Sequence, residues 1–241
     1  MLLGKLTHYP QSRYNGGVSN RAYLRVWCRG VTAESLPRLL GEFLETVPFS
    51  RVRPGCTQMV VRAVDAAEAP ILERDLRMAP LSPTEIVEGL GASLEADSSV
   101  ELEAWWDLWV YEPGQRAWSE RPQRLELVLY GPEFDEGVSR DAGCISVDLG
   151  FEHLFTGHAG LLGKNGQPHP AAEHPAEAEF LAHMTRPESL VEYIARTREN
   201  ILRLKAWVER VAKTLPVEKF VLESEGEADF EGRLEEVMSI E

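Results

Sequence analysis

A run of alternating side chains near the middle of the chain, from Val100 to Val110, predicts a β-strand with two chemically different faces. Successive side chains of a strand point to opposite sides, so every second residue shares a face. The aliphatic face predicts burial and consists of Val100, Leu102, Ala104, Trp106, Leu108 and Val110. The opposite face, extended by one residue, carries carboxylates and aromatic rings: Glu101, Glu103, Trp105, Asp107, Trp109 and Tyr111. Because a solvated strand face does not require so many large rings, we expect another part of the chain or a partner to cover it.

A second alternating run, from Arg21 to Arg29, has the complementary chemistry. Small and aliphatic residues occupy one face, whereas the other face is cationic and aromatic, with Arg21, Tyr23, Arg25, Trp27 and Arg29. Opposite charges that face each other across neighbouring strands stabilise a sheet. We therefore expect this strand and the acidic strand to share a sheet, with favourable pairing if they are neighbours.

The remaining periodicity predicts an α+β fold. Period-two patterns indicate further strands over 57–64, 125–130 and 144–149, and period-3.6 patterns indicate helices after Thr32 and after Ser82. Ser82 and Glu85 form the capping-box pattern at the start of the second helix. We expect a largely antiparallel or mixed β-sheet with helices packed on one face, followed by a long C-terminal helix.

The composition changes after residue 156, and this divides the chain into three parts. Residues 1–156 are expected to form an α+β sheet domain, 157–178 a loop rich in Gly, Pro and His, and 179–241 a helical segment packed on the sheet domain as one globular unit. A capping-box pattern at Thr185–Glu188 predicts a long helix that ends before Pro216. Residues 220–222 predict an edge strand, and apolar residues after it a short closing helix.

The charge and cysteine content exclude several classes of protein. A net charge of −14 repels a polyphosphate backbone, so we expect no nucleic-acid partner. No long apolar segment predicts a membrane span and the N-terminal residues lack a secretory h-region, so we expect a cytoplasmic protein with no membrane contact. The three cysteines are widely spaced without a C-x-x-C pair, which predicts reduced, buried thiols rather than a zinc knuckle or a redox centre.

Five of the six histidines lie between residues 153 and 183 and suggest a metal site. His153 with His158, and His169 with His174, repeat the spacing His-x4-His, with Glu side chains nearby. Imidazole and carboxylate groups are common ligands of zinc and other divalent metals. Neither pair has the His-x3-His spacing of a helical site, however, and the prolines of this segment are unfavourable to a regular scaffold. Solvated loop histidines are therefore the simpler interpretation.

The acidic strand face also allows two kinds of small-molecule site. Two of its carboxylates could act as acid and base in sugar hydrolysis, beside aromatic rings that stack on the sugar. Trp105, Trp109 and Tyr111 could instead bind a carbohydrate or another small ligand without catalysis. The structural alternative is that the carboxylates pair with Arg21, Arg25, Arg29 or Arg124, while the long helix or the loop covers the indole rings.

The sequence favours a non-catalytic binding protein without a cofactor. We expect an acidic protein that binds, and masks, a basic protein partner or associates with itself through the acidic aromatic face. The proposed binding residues are Glu101, Glu103, Trp105, Asp107, Trp109 and Tyr111. The alternative is a metal-dependent, hydrolase-like enzyme that uses zinc or another divalent metal in the histidine-rich segment 153–183.

Overall fold

The protein forms a seven-stranded antiparallel sheet flanked by helices, as seen in a computed structural model. The structure describes residues 20–90, 93–113, 115–158, 161–162 and 175–240. The strands are β1 (Arg21–Cys28), β2 (Cys56–Ala63), β3 (Leu72–Asp75), β4 (Ser98–Glu112), β5 (Ala117–Tyr130), β6 (Ile145–Phe151) and β7 (Val217–Ser224). The helices are α1 (Leu36–Thr46), α2 (Pro83–Leu90), α3 (Ser139–Ala142), α4 (His153–Thr156), α5 (Pro175–Met184), α6 (Pro187–Thr214) and α7 (Phe230–Ser239). This architecture confirms the predicted α+β class.

The strand order is β3-β2-β4-β5-β6-β1-β7, and every neighbouring pair is antiparallel. The strands β1 and β4 share the sheet, as predicted, but β5 and β6 lie between them. The cationic face of β1 therefore cannot pair directly with the acidic face of β4. Strands that follow one another in the chain pair first here, because β4 and β5 form a long hairpin and β6 pairs with the other edge of β5.

The buried inner face of the sheet is the aliphatic face predicted from the sequence. In β4 the side chains of Val100, Leu102, Ala104, Trp106 and Leu108 are at most 3% exposed. Alternate residues of β1, β5 and β6 extend this face, and apolar side chains of α1, α2, α6 and α7 complete the same core. The Trp207 ring of α6 packs 5.5 Å from Trp106 and 6.5 Å from Phe43 between ring centroids. The long helix therefore fills the centre of the core.

Three local features differ from the sequence-based expectation. The short edge strand β3 lies in the stretch between β2 and α2, where the sequence pattern predicted no strand, because four mostly exposed residues give little hydrophobic signal. The strand β5 runs unbroken through Pro122. Because β6 pairs only with residues 126–129 of β5, the missing N–H of Pro122 costs no hydrogen bond to β6. The predicted capping box at Thr185 does not form, because the Thr185 hydroxyl donates to the Ala182 carbonyl at the end of α5.

Other predicted boundaries are confirmed. The Ser82–Glu85 capping box is present, with the Ser82 N–H donating to Glu85 Oε2 at 2.8 Å. The strand β7 lies at the edge of the sheet beside β1, and α7 packs on β7 and α6. Within the described residues, no helix is both long and apolar enough to cross a membrane.

Candidate functional site

The face of β4 opposite the core is neither open to solvent nor sealed. All six predicted binding residues are half-buried, and the alternation of buried and half-buried side chains as far as Leu108 confirms the period-two register over that part of the strand. The outer face of the sheet is defined here by the predicted residues from Glu101 to Trp109 together with Glu126 of β5, Asp148 of β6 and Tyr23 of β1, which alternate with buried neighbours. Each of these three side chains also keeps partial contact with solvent.

Arginines of the same chain partner the two glutamates of β4. Glu101 forms an ion pair with Arg62 at 3.0 Å. Glu103 pairs with Arg124 at 2.6 Å and accepts a hydrogen bond from the Thr57 hydroxyl at 2.7 Å. Of the cations suggested by the sequence, Arg124 is therefore a partner, whereas Arg62 was missed.

The arginines of β1 have partners on the strands that flank β1. Arg21 pairs with Asp148 of β6, and Arg25 pairs with Glu223 of β7 at 2.6 Å. The strand order explains why neither reaches β4. The charges of β1 are thus satisfied by acidic residues outside the predicted site.

Trp105 is held in place by its neighbours. Its indole N–H donates to the Thr57 hydroxyl at 3.0 Å, and the Arg53 guanidinium lies 4.3 Å from the ring centroid. A guanidinium stacked on an indole at this distance is a favourable cation–π contact. The ring is therefore a fixed, half-buried aromatic group at the outer face.

Trp109 lies under the long helix. The Arg196 guanidinium of α6 is 3.8 Å from its ring centroid. Asn200 of α6 binds the Trp109 backbone twice, accepting from the N–H at 2.8 Å and donating to the carbonyl at 3.0 Å. The helix thus covers this part of the strand, as the structural alternative predicted.

Tyr111 belongs to a different environment from the rest of the predicted site. Its ring packs against Trp118 and Phe180, each with 5.5 Å between centroids, and stacks on His183. The six predicted residues therefore do not form one continuous binding surface. The outer face proper ends near Asp107 and Trp109.

Asp107 is the one carboxylate of β4 without a cationic partner among the described residues. Its Oδ2 accepts the Arg51 backbone N–H at 2.9 Å. Its Oδ1 is buried and has no hydrogen-bond partner within the part of the chain that the structure describes. A buried carboxylate oxygen of this kind is unfavourable unless a donor reaches it.

Three carboxylates stand directly opposite one another on three consecutive strands. Glu103 of β4 is paired in register with Glu126 of β5, and Glu126 is paired with Asp148 of β6. We call Glu103, Glu126 and Asp148 the acidic row. In the same register the row continues through Tyr23 to Glu223. Like charges placed opposite each other destabilise a sheet.

The electrostatics at Glu126 reflect this arrangement. Burial, together with the charges of Asp148 and Glu103, raises the pKa of Glu126 above its ordinary value, although Arg124 and Arg21 act in the opposite direction. Arg124 also binds Glu103, so two carboxylates of the row share one guanidinium. The row therefore retains unneutralised negative charge.

Sequence reasoning missed two members of the acidic row. Alternation with buried leucine and valine residues places Glu126 and Asp148 on outward positions, and this signal was available. Their alignment with Glu103 depends on how the strands pair, and the residue pattern of one strand does not determine that register.

The histidines bring two of the four proposed metal ligands together. The rings of His153 and His158 lie 4.8 Å apart between centroids. Burial, and then the neighbouring His158, lowers the pKa of His153 to about 4. His169 and His174 lie outside the described residues. Within the described residues no group of three or more His, Cys, Asp or Glu side chains could hold a metal, and the metal site stays a prediction.

The cysteines are free thiols. Cys56 and Cys144 are buried, and Cys28 is half-buried. Burial raises the pKa of Cys56 to about 12, so this thiol stays protonated and unreactive at neutral pH. This agrees with the predicted core role for that residue.

Comparison with family models, with curated proteins and with solved structures gives no match to this chain. The chemistry of the outer face is therefore the basis on which we infer a function.

Proposed function

We propose that the protein binds a basic protein partner on the outer face of its sheet and masks the partner's cationic groups. The observation that carries this proposal is the acidic row, in which Glu103 and Glu126 share the single guanidinium of Arg124. A lysine or arginine side chain of a partner would supply the missing positive charge. Features that oppose local stability are expected mainly at functional sites.

The surroundings of the row suit a protein surface better than a free cation. Trp105 follows Glu103 by two residues on the same face of β4, and its ring is held by Thr57 and Arg53. Half-buried, immobilised tryptophans are typical anchors of protein interfaces. Asp107 follows on the same face, and its buried Oδ1 has no hydrogen-bond donor within the described part of the chain.

Negative charge continues towards the β7 edge of the sheet. Glu225 accepts hydrogen bonds from the Arg21 N–H at 3.0 Å and the Tyr23 hydroxyl at 2.8 Å. Burial, and then the hydrogen bond to Glu225, raises the pKa of Tyr23, which keeps the hydroxyl protonated. Glu223 and Glu225 both lie at this edge beside β1, so the edge favours the approach of a cationic surface.

A binding experiment with a matched charge control tests the proposal. The probe is deca-arginine peptide, measured by isothermal titration calorimetry at about 20 mM salt, where screening is weak. The test variant is E103Q/E126Q/D148N, and the control E45Q/E68Q/E88Q neutralises three exposed carboxylates away from the row. Both variants change the net charge equally. Circular dichroism establishes that both are folded.

We expect the wild type to bind the peptide and the row variant to bind about tenfold more weakly, which corresponds to about 1.4 kcal/mol. The control should change the affinity less than about threefold, since only long-range attraction is reduced. Equal weakening by both variants would show that binding is diffuse and would refute a site at the row, as would a wild type that does not bind.

A further inference from the structure

A cavity of about 290 Å³ lies where the far end of the β4–β5 hairpin meets α4, α5 and α6. Protein interiors are close-packed, with few voids larger than a water molecule. The volume lies between an engineered cavity of about 150 Å³ that binds benzene and the range of about 300–1,000 Å³ for drug-sized ligands. It therefore corresponds to a molecule of one or two rings.

The wall of the cavity is predominantly aromatic. Trp118 stacks on Tyr193 with 5.3 Å between centroids, and Phe180 lies edge-on to Tyr193 at 6.1 Å. Tyr111 and Trp109 complete this part of the wall. The rings brace one another, so the cavity is bounded by rigid groups that favour stacked or edge-to-face contacts with another ring.

The described lining residues include no Asp, Glu, Lys or Arg side chain. Burial lowers the pKa of the lining His153 to about 4, so this imidazole is neutral at pH 7. A charged ligand would lose its hydration without gaining a carboxylate, ammonium or guanidinium counter-ion from the described wall. The cavity therefore favours an uncharged molecule.

The described lining residues still hold hydrogen-bond donors without a described acceptor, namely the Tyr193 hydroxyl and the Trp109 indole N–H. Both N–H groups of the Asn200 amide are already used, because they donate to the Trp109 carbonyl and, at 3.1 Å, to the Leu154 carbonyl. The Tyr193 hydroxyl accepts the His158 backbone N–H at 2.6 Å, which leaves its own proton for an acceptor. A ligand oxygen or nitrogen could accept that proton.

We propose that this cavity binds a small, planar, uncharged molecule of one or two rings that presents a hydrogen-bond acceptor or π-face to the Tyr193 hydroxyl. The site is separate from the acidic row and does not depend on the function proposed for it. The unused cavity volume and the aromatic wall are features of a ligand site rather than of ordinary core packing.

The test uses 5-fluoroindole as the neutral probe and 5-fluoroindole-2-carboxylate as its anionic counterpart, both followed by ¹⁹F NMR. Thr197 of α6 lines the cavity and is 2% exposed, so T197M fills part of the space. The control V191M makes the same kind of enlargement on the outside of α6, where Val191 is 69% exposed. Y193F removes only the hydroxyl and keeps the ring, so it serves even if T197M fails to fold.

We expect saturable line broadening of 5-fluoroindole by the wild type and by V191M, at least tenfold weaker binding by T197M, and about fivefold weaker binding by Y193F. We expect the carboxylate to bind at least tenfold more weakly than 5-fluoroindole. The proposal is overturned if the wild type gives no saturable broadening, if T197M and Y193F both bind like the wild type, or if the anion binds as tightly as the neutral probe.

Discussion

The Glu126 carboxylate lies between two other carboxylates in a register that the surrounding strands fix. Glu103 and Asp148 face it from either side, and among the described residues only Arg124 forms an ion pair with it. The half-exposed position of Glu126 limits the energy at stake, because solvent screens the charges. The arrangement nevertheless opposes stability where a neutral side chain would not.

Replacing Glu126 with glutamine should stabilise the protein at neutral pH. The folded protein raises the pKa of Glu126, so the folded state binds the carboxyl proton more tightly than the unfolded state does. The resulting contribution to the free energy of unfolding is fully present below the ordinary glutamate pKa and is lost as pH rises through the raised value. We expect E126Q to raise the free energy of unfolding at pH 7 by up to about 1 kcal/mol. The gain should disappear below about pH 4, where the wild-type carboxyl is protonated in both states.

Urea unfolding at the two pH values measures this effect. The control E88Q changes an exposed glutamate of α2 and should leave the free energy of unfolding within about 0.5 kcal/mol at both pH values. A destabilised E126Q at pH 7 would mean that the ion pair with Arg124 outweighs repulsion within the acidic row.

At the scale of elements, the β4–β5 hairpin and the long helix α6 define the molecule. Strict alternation predicted the core face of β4, and the apolar stripe of α6 predicted a docked helix. The sequence did not show where the helix docks. The docking position involves Asn200, whose side chain is 1% exposed. Its amide makes the two backbone hydrogen bonds to Trp109 that a neighbouring strand would otherwise make at this edge of β4.

Removing the Asn200 amide should therefore weaken the junction of helix and hairpin. N200A loses three hydrogen bonds and removes the partner of the buried Leu154 carbonyl and of the part-buried Trp109 N–H and carbonyl. At about 1 kcal/mol for each bond, we expect the free energy of unfolding to fall by about 3 kcal/mol. Chemical denaturation measures the change.

The matched control for N200A is L202A, on the same helix. Leu202 is 53% exposed, so its truncation should change the free energy of unfolding by less than about 1 kcal/mol. A loss below about 1 kcal/mol for N200A itself would show that water replaces the amide and that the junction does not depend on it.

At the scale of the whole molecule, charge is distributed unevenly. Residues 186–213 have a balance of +3 and residues 223–241 a balance of −7, and the two segments meet where α7 packs on α6. The Arg198 guanidinium donates to the Val237 carbonyl at 3.1 Å at this contact. Glu223 and Glu225 of the acidic segment lie beside β1 at the edge of the sheet.

Most of the elements, and the fold class, could be predicted from the sequence, because alternation and helical periodicity are local signals. The strand order could not, since it depends on which hairpins form, and it separates β1 from β4. The acidic row shares that limitation, because Glu126 and Asp148 join Glu103 only through register. Alternation along β4 predicted that Tyr111 lies on the outer face. At the far end of the hairpin, however, its ring packs in an aromatic cluster with Phe180 of α5.

The most direct measurement of the central claim is an NMR titration of isotope-labelled protein with deca-arginine, observing backbone amides and the Trp105 indole. We predict that the largest shifts cluster at residues 103, 126 and 148 and at Trp105, and that they are absent in E103Q/E126Q/D148N. Shifts spread evenly over exposed acidic residues such as Glu45, Glu68 and Glu88, with the outer face unchanged, would contradict the account.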